Sequence, residues 1–460
     1  MFVALGCLAQ LRYPIRMNIG NTAAFLRCTE TRCSNQYHIS ERYYSCPACG
    51  GLLDIDYDFQ LAAPPDALKS TFRDRKLESE PAYRSGVWRF HDLLPFLPDV
   101  SRVVTLFEGN TPIYEAPLSS GYCGLAGLRF KHQGMNPTGS FKDNGMTTGV
   151  TAAREYGAAA VACASTGNTS ASMAAYAARA GMEAVVFVPA GRISYGKLAQ
   201  ALEYGARVLE LEGSFDDAMR IVRELAIETP LYLLNSVNPF RLEGQKTIII
   251  EMLEQLDWAA PDWIILPGGN LGNCSAFGKA LHELSSLGFI DRIPRLAIIQ
   301  AKGAAPFYNL FKSGVRERLI PIDHPATLAT AIRIGSPVSW PKALRSLEWT
   351  NGIVEQVSEN EIAEAKAVIG RDGIGCEPAS AVTLAGAKQL VSRRIIDRDA
   401  SVVCVLTGNL LKDPGYTMDY HSRKLRLETP EGERMILVTR ANSPERLPAD
   451  KAAIRRHLKL

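Results

Sequence analysis

The residues most able to do chemistry sit in KHQGMNPTGSFKDNGMTTGV (131–150), where Lys142 stands between a turn-rich stretch and a helical pattern. An amine there can project from a helix start into a cleft. Imine chemistry requires it to lose its proton, which burial and neighbouring cationic or dipolar groups promote by disfavouring the ammonium. Taken alone, Lys142 reads as one more solvated surface lysine. Three other segments change that reading. In CASTGNTSASMAAYAA (163–178) an apolar run enters Ser165, Thr166, Gly167, Asn168 and Thr169 and then a small-residue helix, whose free amides can bind an anion such as a carboxylate; the competing reading is ordinary helix capping by Ser and Thr. In LPGGNLGNCSAFGKAL (266–281), Gly268, Gly269 and Gly272 let backbone amides approach a phosphate at a helix start. The loop fits neither GxxxxGK[ST] nor GxGxxG, so nucleoside triphosphates and dinucleotides lose their main support. In VVCVLTGNLLKDPG (402–415), Thr407 ends a buried strand and can make one bond to a bound ring.

These segments need a frame that brings strand ends together. Strand-like apolar runs recur at 160–164, 184–189, 207–211, 231–235, 262–267, 295–300 and 401–407, with helical three- and four-residue spacing between most of them. Short buried strands joined by helices predict parallel sheets covered on both faces, an α/β fold of doubly wound character, in which ligands sit beyond the carboxyl ends of the strands. Residues 60–100 read as a connector and a capping helical region. The chain has 460 residues, beyond what one hydrophobic core usually serves, so several domains are expected.

Before this frame lies LRCTETRCSNQYHISERYYSCPACGGLLDI (26–55), with Cys28 and Cys33 in one pair and Cys46 and Cys49 in another, a zinc-ribbon pattern. Four thiolates could hold one tetrahedral metal and staple a segment too small for its own core; knuckles that persist without metal are the alternative. The first pair is wider than the usual knuckle. His38, between the pairs, is a weaker candidate ligand and reads better as a loop histidine.

A net charge of +3 against 51 basic and 48 acidic residues gives no electrostatic footprint for nucleic acid or anionic membrane. No apolar run is long enough to span a bilayer. Ten cysteines without a disulfide-like framework favour a reducing cytoplasm. Residues 1–16 lack a basic start and a convincing cleavage site, so a signal peptide is disfavoured and Met17 is a candidate true start.

Taken together and in order, FKDNGM, ASTGNTSAS, NSVNPFRLEGQK, GGNLGN and LTGNLLKDP resemble the threonine synthases of the fold-type II pyridoxal-phosphate family, over roughly residues 20–415. The resemblance implies the tryptophan synthase beta-like architecture: a zinc-ribbon-like segment (20–59), a large cofactor-binding domain (60–155 and 239–415), a small α/β domain (156–238) and a C-terminal extension (416–460) of no evident role. It implies that Lys142 holds pyridoxal 5'-phosphate as a Schiff base, that Asn168 bonds the pyridine hydroxyl, that Gly269, Asn270, Leu271, Gly272 and Asn273 cup its phosphate, and that Thr407 meets the pyridine nitrogen. Ser165, Thr166 and Thr169 would hold the substrate carboxylate or phosphate; Asn235, Ser236 and Arg241 would hold the substrate phosphate. A hydroxyl at the ring nitrogen would leave that nitrogen largely unprotonated. The implied reaction turns O-phospho-L-homoserine and water into L-threonine and phosphate, in a homodimer. The alternatives are a serine or threonine dehydratase or a phosphoserine-using synthase, separated by the second phosphate site around Arg241, and a non-enzymatic zinc-ribbon binding protein in which Lys142 is incidental.

Overall fold

The computed structural model describes residues 23–97, 99–190, 195–213, 215–430 and 432–460, without the side chains of 195–197, 215 and 216. Residues 1–22, and with them Met17 and the stretch read against a signal peptide, lie outside the described residues, as do Ser194 and Ser214 at the heads of two helical patterns.

Two parallel sheets carry the fold, which bears out the α/β expectation. The larger has six strands in the spatial order Ile353–Val357, Arg295–Ala301, Trp263–Pro267, Val402–Leu406, Leu128–His132 and Ile113–Glu115; only the last runs antiparallel. The smaller has four parallel strands, Arg207–Leu211, Glu183–Pro189, Ala160–Ala164 and Leu231–Leu233. The central strands Trp263–Pro267 and Val402–Leu406 are buried along their whole length. That suits their unbroken apolar sequences, since a parallel strand covered on both faces has no solvent side to mark.

Helix starts and stops follow local chemistry. Asn238 caps Pro239–Gln255, its Oδ1 accepting from Phe240 N at 3.0 Å, and Pro239 takes the first helical position, where its missing N–H costs nothing. This helix crosses Lys142–Glu155 so closely that a Cβ on Gly244 would lie 1.8 Å from Asn144 O. Only glycine permits that approach, and it brings Arg241 beside the helix that begins at Lys142.

The cysteine-rich segment forms an antiparallel sheet, Gln36–His38, Ala24–Cys28 and Leu53–Tyr57. Its last strand is locked to the body by buried charge: Lys342 donates to Asp54 and to Leu53 O, both at 2.6 Å, Arg345 also pairs with Asp54, and Lys279 reaches Ile55 O. Tyr57 donates to Glu243 at 2.6 Å, and Glu243 pairs with Lys246 and Lys279 at 2.6 Å each. Near the C-terminus, Arg426–Thr429 and Gly432–Met435 form a hairpin. Among the described residues no helix is long and apolar enough to cross a membrane.

Candidate active site and thiol cluster

Every residue that the resemblance assigns to the cofactor or substrate lines one cavity of ≈ 1660 Å³: Lys142, Ser165, Thr166, Asn168, Thr169, Asn235, Ser236, Arg241, the run from Gly269 to Asn273, and Thr407; Gly268, read from its loop as a phosphate-approach glycine, is not in the lining. Strand ends and helix starts deliver them. Lys142 is the first residue of Lys142–Glu155 and follows a loop fixed by Asp143, which accepts from Thr138 N (2.7 Å), Thr138 Oγ1 (2.6 Å) and Ser172 Oγ (2.5 Å). Phe141 N donates to Thr407 O at 2.9 Å, so the lysine turn is stitched to the end of Val402–Leu406.

The Lys142 ammonium makes no salt bridge or hydrogen bond among the described residues and lies 4.2 Å from the Phe141 ring centroid. Burial, with Arg241 adding repulsion and Glu377 opposing, lowers its pKa to about 7. In cofactor-free protein, labelling of Lys142 by a carbonyl reagent should therefore rise about tenfold per pH unit from acid pH and level off above about 7, because only the neutral amine attacks. Peptide mapping of the labelled lysine checks this; a plateau reached only above pH 10 would contradict it.

The other segments end in open helix starts. At Gly272–Ser286 the preceding Leu271 makes no side-chain cap and sits at φ 65°, a left-handed conformation unusual for a bulky residue. Both side-chain amide atoms of Asn273 are buried without a partner, as is Oε1 of Gln245 nearby in the cavity wall. Free first-turn amides, a strained turn and an orphaned amide suit an anion such as a phosphate. At Asn168–Ala180 no side chain caps the start either, so Thr166 and Thr169 are not spent on capping, while Ser165 Oγ accepts from Gly167 N at 3.2 Å. Asn168 instead donates from Nδ2 to Glu377 Oε2 at 3.0 Å.

Arg241 is 2% exposed. Its Nη1 donates to Leu234 O at 2.9 Å, its Nε has no partner, and no carboxylate among the described residues pairs with it. A buried guanidinium without a counter-ion is costly unless an anion completes it; burial lowers its pKa to about 10. Asn235 is partly committed elsewhere, since its amide bonds both Ala164 N and Ala164 O at 3.0 Å and so fixes the loop that leads to Ser165. Ser236 faces the cavity beside it.

Sequence reasoning missed Glu377 and Lys412, which also line the cavity, and the hairpin residues Glu428, Thr429 and Pro430 at its edge. Glu377 accepts from Thr407 Oγ1 at 2.9 Å as well as from Asn168. The one local signal for it is Gly408, where a Cβ would lie 2.4 Å from the Glu377 carboxyl carbon.

In the thiol cluster, Cys28 Sγ lies 3.5 Å from Cys49 Sγ and Cys33 Sγ 3.7 Å from Cys46 Sγ, and all four sulfurs fall within 4.8 Å of one another. Sulfurs bound at about 2.3 Å to one tetrahedral centre would stand roughly 3.8 Å apart, so the donor set fits zinc despite the wide first pair. His38 is outside the cluster; its Nδ1 bonds Ser40 Oγ at 2.6 Å.

Residues 104–408 match the family described as "Pyridoxal-phosphate dependent enzyme". The threonine synthase of Methanocaldococcus jannaschii is 46% identical over 398 residues, covering 86% of this chain and 95% of that protein. Threonine synthase 2, chloroplastic, of Arabidopsis thaliana is 39% identical, covering 85% and 78%. The crystal structure of threonine synthase from Escherichia coli superposes with a TM-score of 0.64 over 95% of this chain and 99% of that one, at 18% identity, which speaks to the fold alone. With these matches running through the segments that line the cavity, the chain belongs to the threonine synthases of the pyridoxal-phosphate-dependent enzyme family.

Proposed function

We propose that the protein converts O-phospho-L-homoserine and water into L-threonine and inorganic phosphate, as a pyridoxal-phosphate-dependent lyase. The observation that carries this reading is the buried Arg241, without a counter-ion among the described residues, in the same cavity as the deprotonatable Lys142, beside a separate amide-lined anion cup. A dehydratase needs one anion cup for its cofactor and has no use for a second phosphate clamp.

The residues present fit the cofactor: Lys142 for the aldehyde carbon, Gly269 to Asn273 for the phosphate, Asn168 for the ring hydroxyl and Thr407 for the ring nitrogen. When bound, the cofactor supplies an electron sink for a carbanion at the substrate α-carbon. Lys142 Nζ, about half of it neutral at pH 7, takes the Cα proton, must hand that proton on to recover its lone pair, and then takes one from Cβ as phosphate leaves Cγ. Arg241, with Ser236 and the remaining amide hydrogen of Asn235, holds that phosphate and the charge growing on it. Open amides at Thr166, Asn168 and Thr169 orient the carboxylate, which fixes the Cα–H bond toward Lys142. Water adds its hydroxyl at Cβ and gives its remaining proton to the released phosphate, while Lys142 Nζ returns the two carbon-derived protons to Cγ and Cα.

Phosphate release from phosphohomoserine and phosphoserine, measured beside threonine deamination, tests the reading. Turnover of threonine without turnover of phosphohomoserine would replace it by a dehydratase.

We also assign a structural zinc to Cys28, Cys33, Cys46 and Cys49, since no step above needs a metal. Chelation should lower the melting temperature and leave the cofactor absorbance of the folded protein in place; loss of turnover with an unchanged melting temperature would contradict a structural role. Nine free cysteines among the described residues support a reducing, cytoplasmic setting, and the family resemblance a homodimer.

A further inference from the structure

The hydrogen bonds around Thr407 direct its proton as well as its position. Ser380 Oγ accepts from Thr407 N at 2.8 Å and from Gly408 N at 3.2 Å, which uses both of its lone pairs. Its own proton is then directed to Thr407 Oγ1, 3.0 Å away. Thr407 Oγ1 in turn donates to Glu377 Oε1 at 2.9 Å. With its proton given to Glu377 and one lone pair taken by Ser380, Thr407 has a single lone pair left for the cavity. The carboxylate is a committed acceptor: its second oxygen takes Asn168 Nδ2 at 3.0 Å. Its place is fixed by the backbone, since Glu377 N donates to Gly408 O at 3.1 Å and Gly408 leaves the carboxyl the space a Cβ would occupy.

We infer that Glu377 is a positioning residue that sets the hydrogen-bond polarity of Thr407, so that Thr407 accepts from the bound pyridine nitrogen and that nitrogen is held protonated. This rests on the cofactor placement proposed above and reverses the expectation that a hydroxyl partner leaves the ring nitrogen bare. The chain Glu377 carboxylate, Thr407 hydroxyl, ring N–H links a buried anion to the pyridinium through one hydroxyl, at a distance where a direct pair would be missing. Burial pushes the Glu377 carboxyl up from its usual range, while Asn168, Thr407, Lys412 and Lys142 pull it back. The same carboxylate orients Asn168 through one amide hydrogen and leaves the other to the ring hydroxyl. A protonated ring withdraws electrons more strongly, which suits a reaction that must remove protons from two adjacent carbons.

Glu377→Gln offers one acceptor and one donor where the carboxylate offered two acceptors. If the amide oxygen keeps Asn168, the amide N–H faces Thr407, whose proton then turns to the cavity and asks for an unprotonated nitrogen. The test is the nitrogen-15 resonance of the ring nitrogen in holoenzyme reconstituted with ring-labelled pyridoxal phosphate, at neutral pH. Expected are a pyridinium resonance in the wild-type protein, a shift into the pyridine range in Glu377→Gln and in Thr407→Val, and a pyridinium resonance retained in Ser380→Ala, which leaves the bond to Glu377 in place. A pyridine-range resonance in the wild-type protein overturns the inference without recourse to any variant. A resonance that moves in Thr407→Val and not in Glu377→Gln overturns it while the cofactor placement stands. A pyridinium resonance unmoved by either variant shows that Thr407 does not meet the ring nitrogen, and the placement itself falls together with the inference.

Discussion

Lys142→Ala should lower phosphate release from phosphohomoserine by about a thousandfold or more, because it removes both the group that anchors the cofactor and the base that moves the protons. No neighbouring amine can stand in. Lys412 lines the same cavity but is bonded to Gln200, and burial that lowers its pKa does not bring it to the start of Lys142–Glu155. The variant should fold, since the Lys142 ammonium makes no salt bridge or hydrogen bond among the described residues. Borohydride treatment of the wild-type holoenzyme should fix the cofactor to the peptide containing Lys142, and the alanine variant should bind it only reversibly. Substantial turnover by the folded variant would remove Lys142 from the centre of the chemistry.

Arg241→Ala has the second largest expected effect. Each charged hydrogen bond to a phosphate is worth about 1.5 to 3 kcal/mol, so kcat/KM for phosphohomoserine should fall on the order of tenfold to several hundredfold or more. Both kcat and KM should change if the guanidinium steadies phosphate as it departs. Lysine should rescue poorly, since a point charge cannot copy a bidentate fork. A second consequence follows from the repulsion between Arg241 and Lys142: without the guanidinium the lysine amine becomes more basic, so the acid limb of the pH profile should move upward. Steady-state kinetics across pH would read both effects, with cofactor absorbance as the control. Kinetics equal to wild type would take Arg241 out of the site.

Much of this site could be read from sequence because fold-type and function reside in the same places, the turns between buried strands and helix starts. The runs WIILP and VVCVL are unbroken, so Trp263–Pro267 and Val402–Leu406 were evident, and the glycines that follow the first mark its ligand loop. The strand Leu128–His132 was not evident, because LRFKH carries three basic residues. Its Lys131 is buried all the same, paired with Glu251 and donating to Thr111 O at 2.6 Å and Gln255 Oε1 at 2.8 Å. The partners lie far along the chain, and periodicity cannot report a contact of that kind. The edge strands Ile113–Glu115 and Ile353–Val357 were missed for a related reason: the first has only three residues, and the second carries Glu355 and Gln356 in the middle of its run. Glu377 was passed over because an acidic residue before Pro378 looks like the head of a helix, and the helix Pro378–Ser392 does start there. Only the fold reveals that its carboxyl turns away to Thr407. The hairpin near the C-terminus carried no motif; its tip became interesting by where it comes to rest, on the rim of the cavity.

The charged lock between the cysteine-rich sheet and the body bears on how this protein can be trimmed. Asp54 is the counter-ion of Lys342 and Arg345, the Leu53 and Ile55 carbonyls solvate Lys342 and Lys279, and Lys279 belongs to the very helix whose first turn lines the cavity. A chain shortened to begin after Tyr57 would not merely shed an appendage. It would strip Lys342 and Arg345 of their acid and take a carbonyl from Lys342 and from Lys279, although Lys279 keeps Glu243 and Glu283, and the two cations left without Asp54 would either recruit solvent or repel each other. The short cysteine-rich segment is therefore a plug as much as a module, and a minimal version of this protein has to keep its last strand even if it discards the thiol cluster.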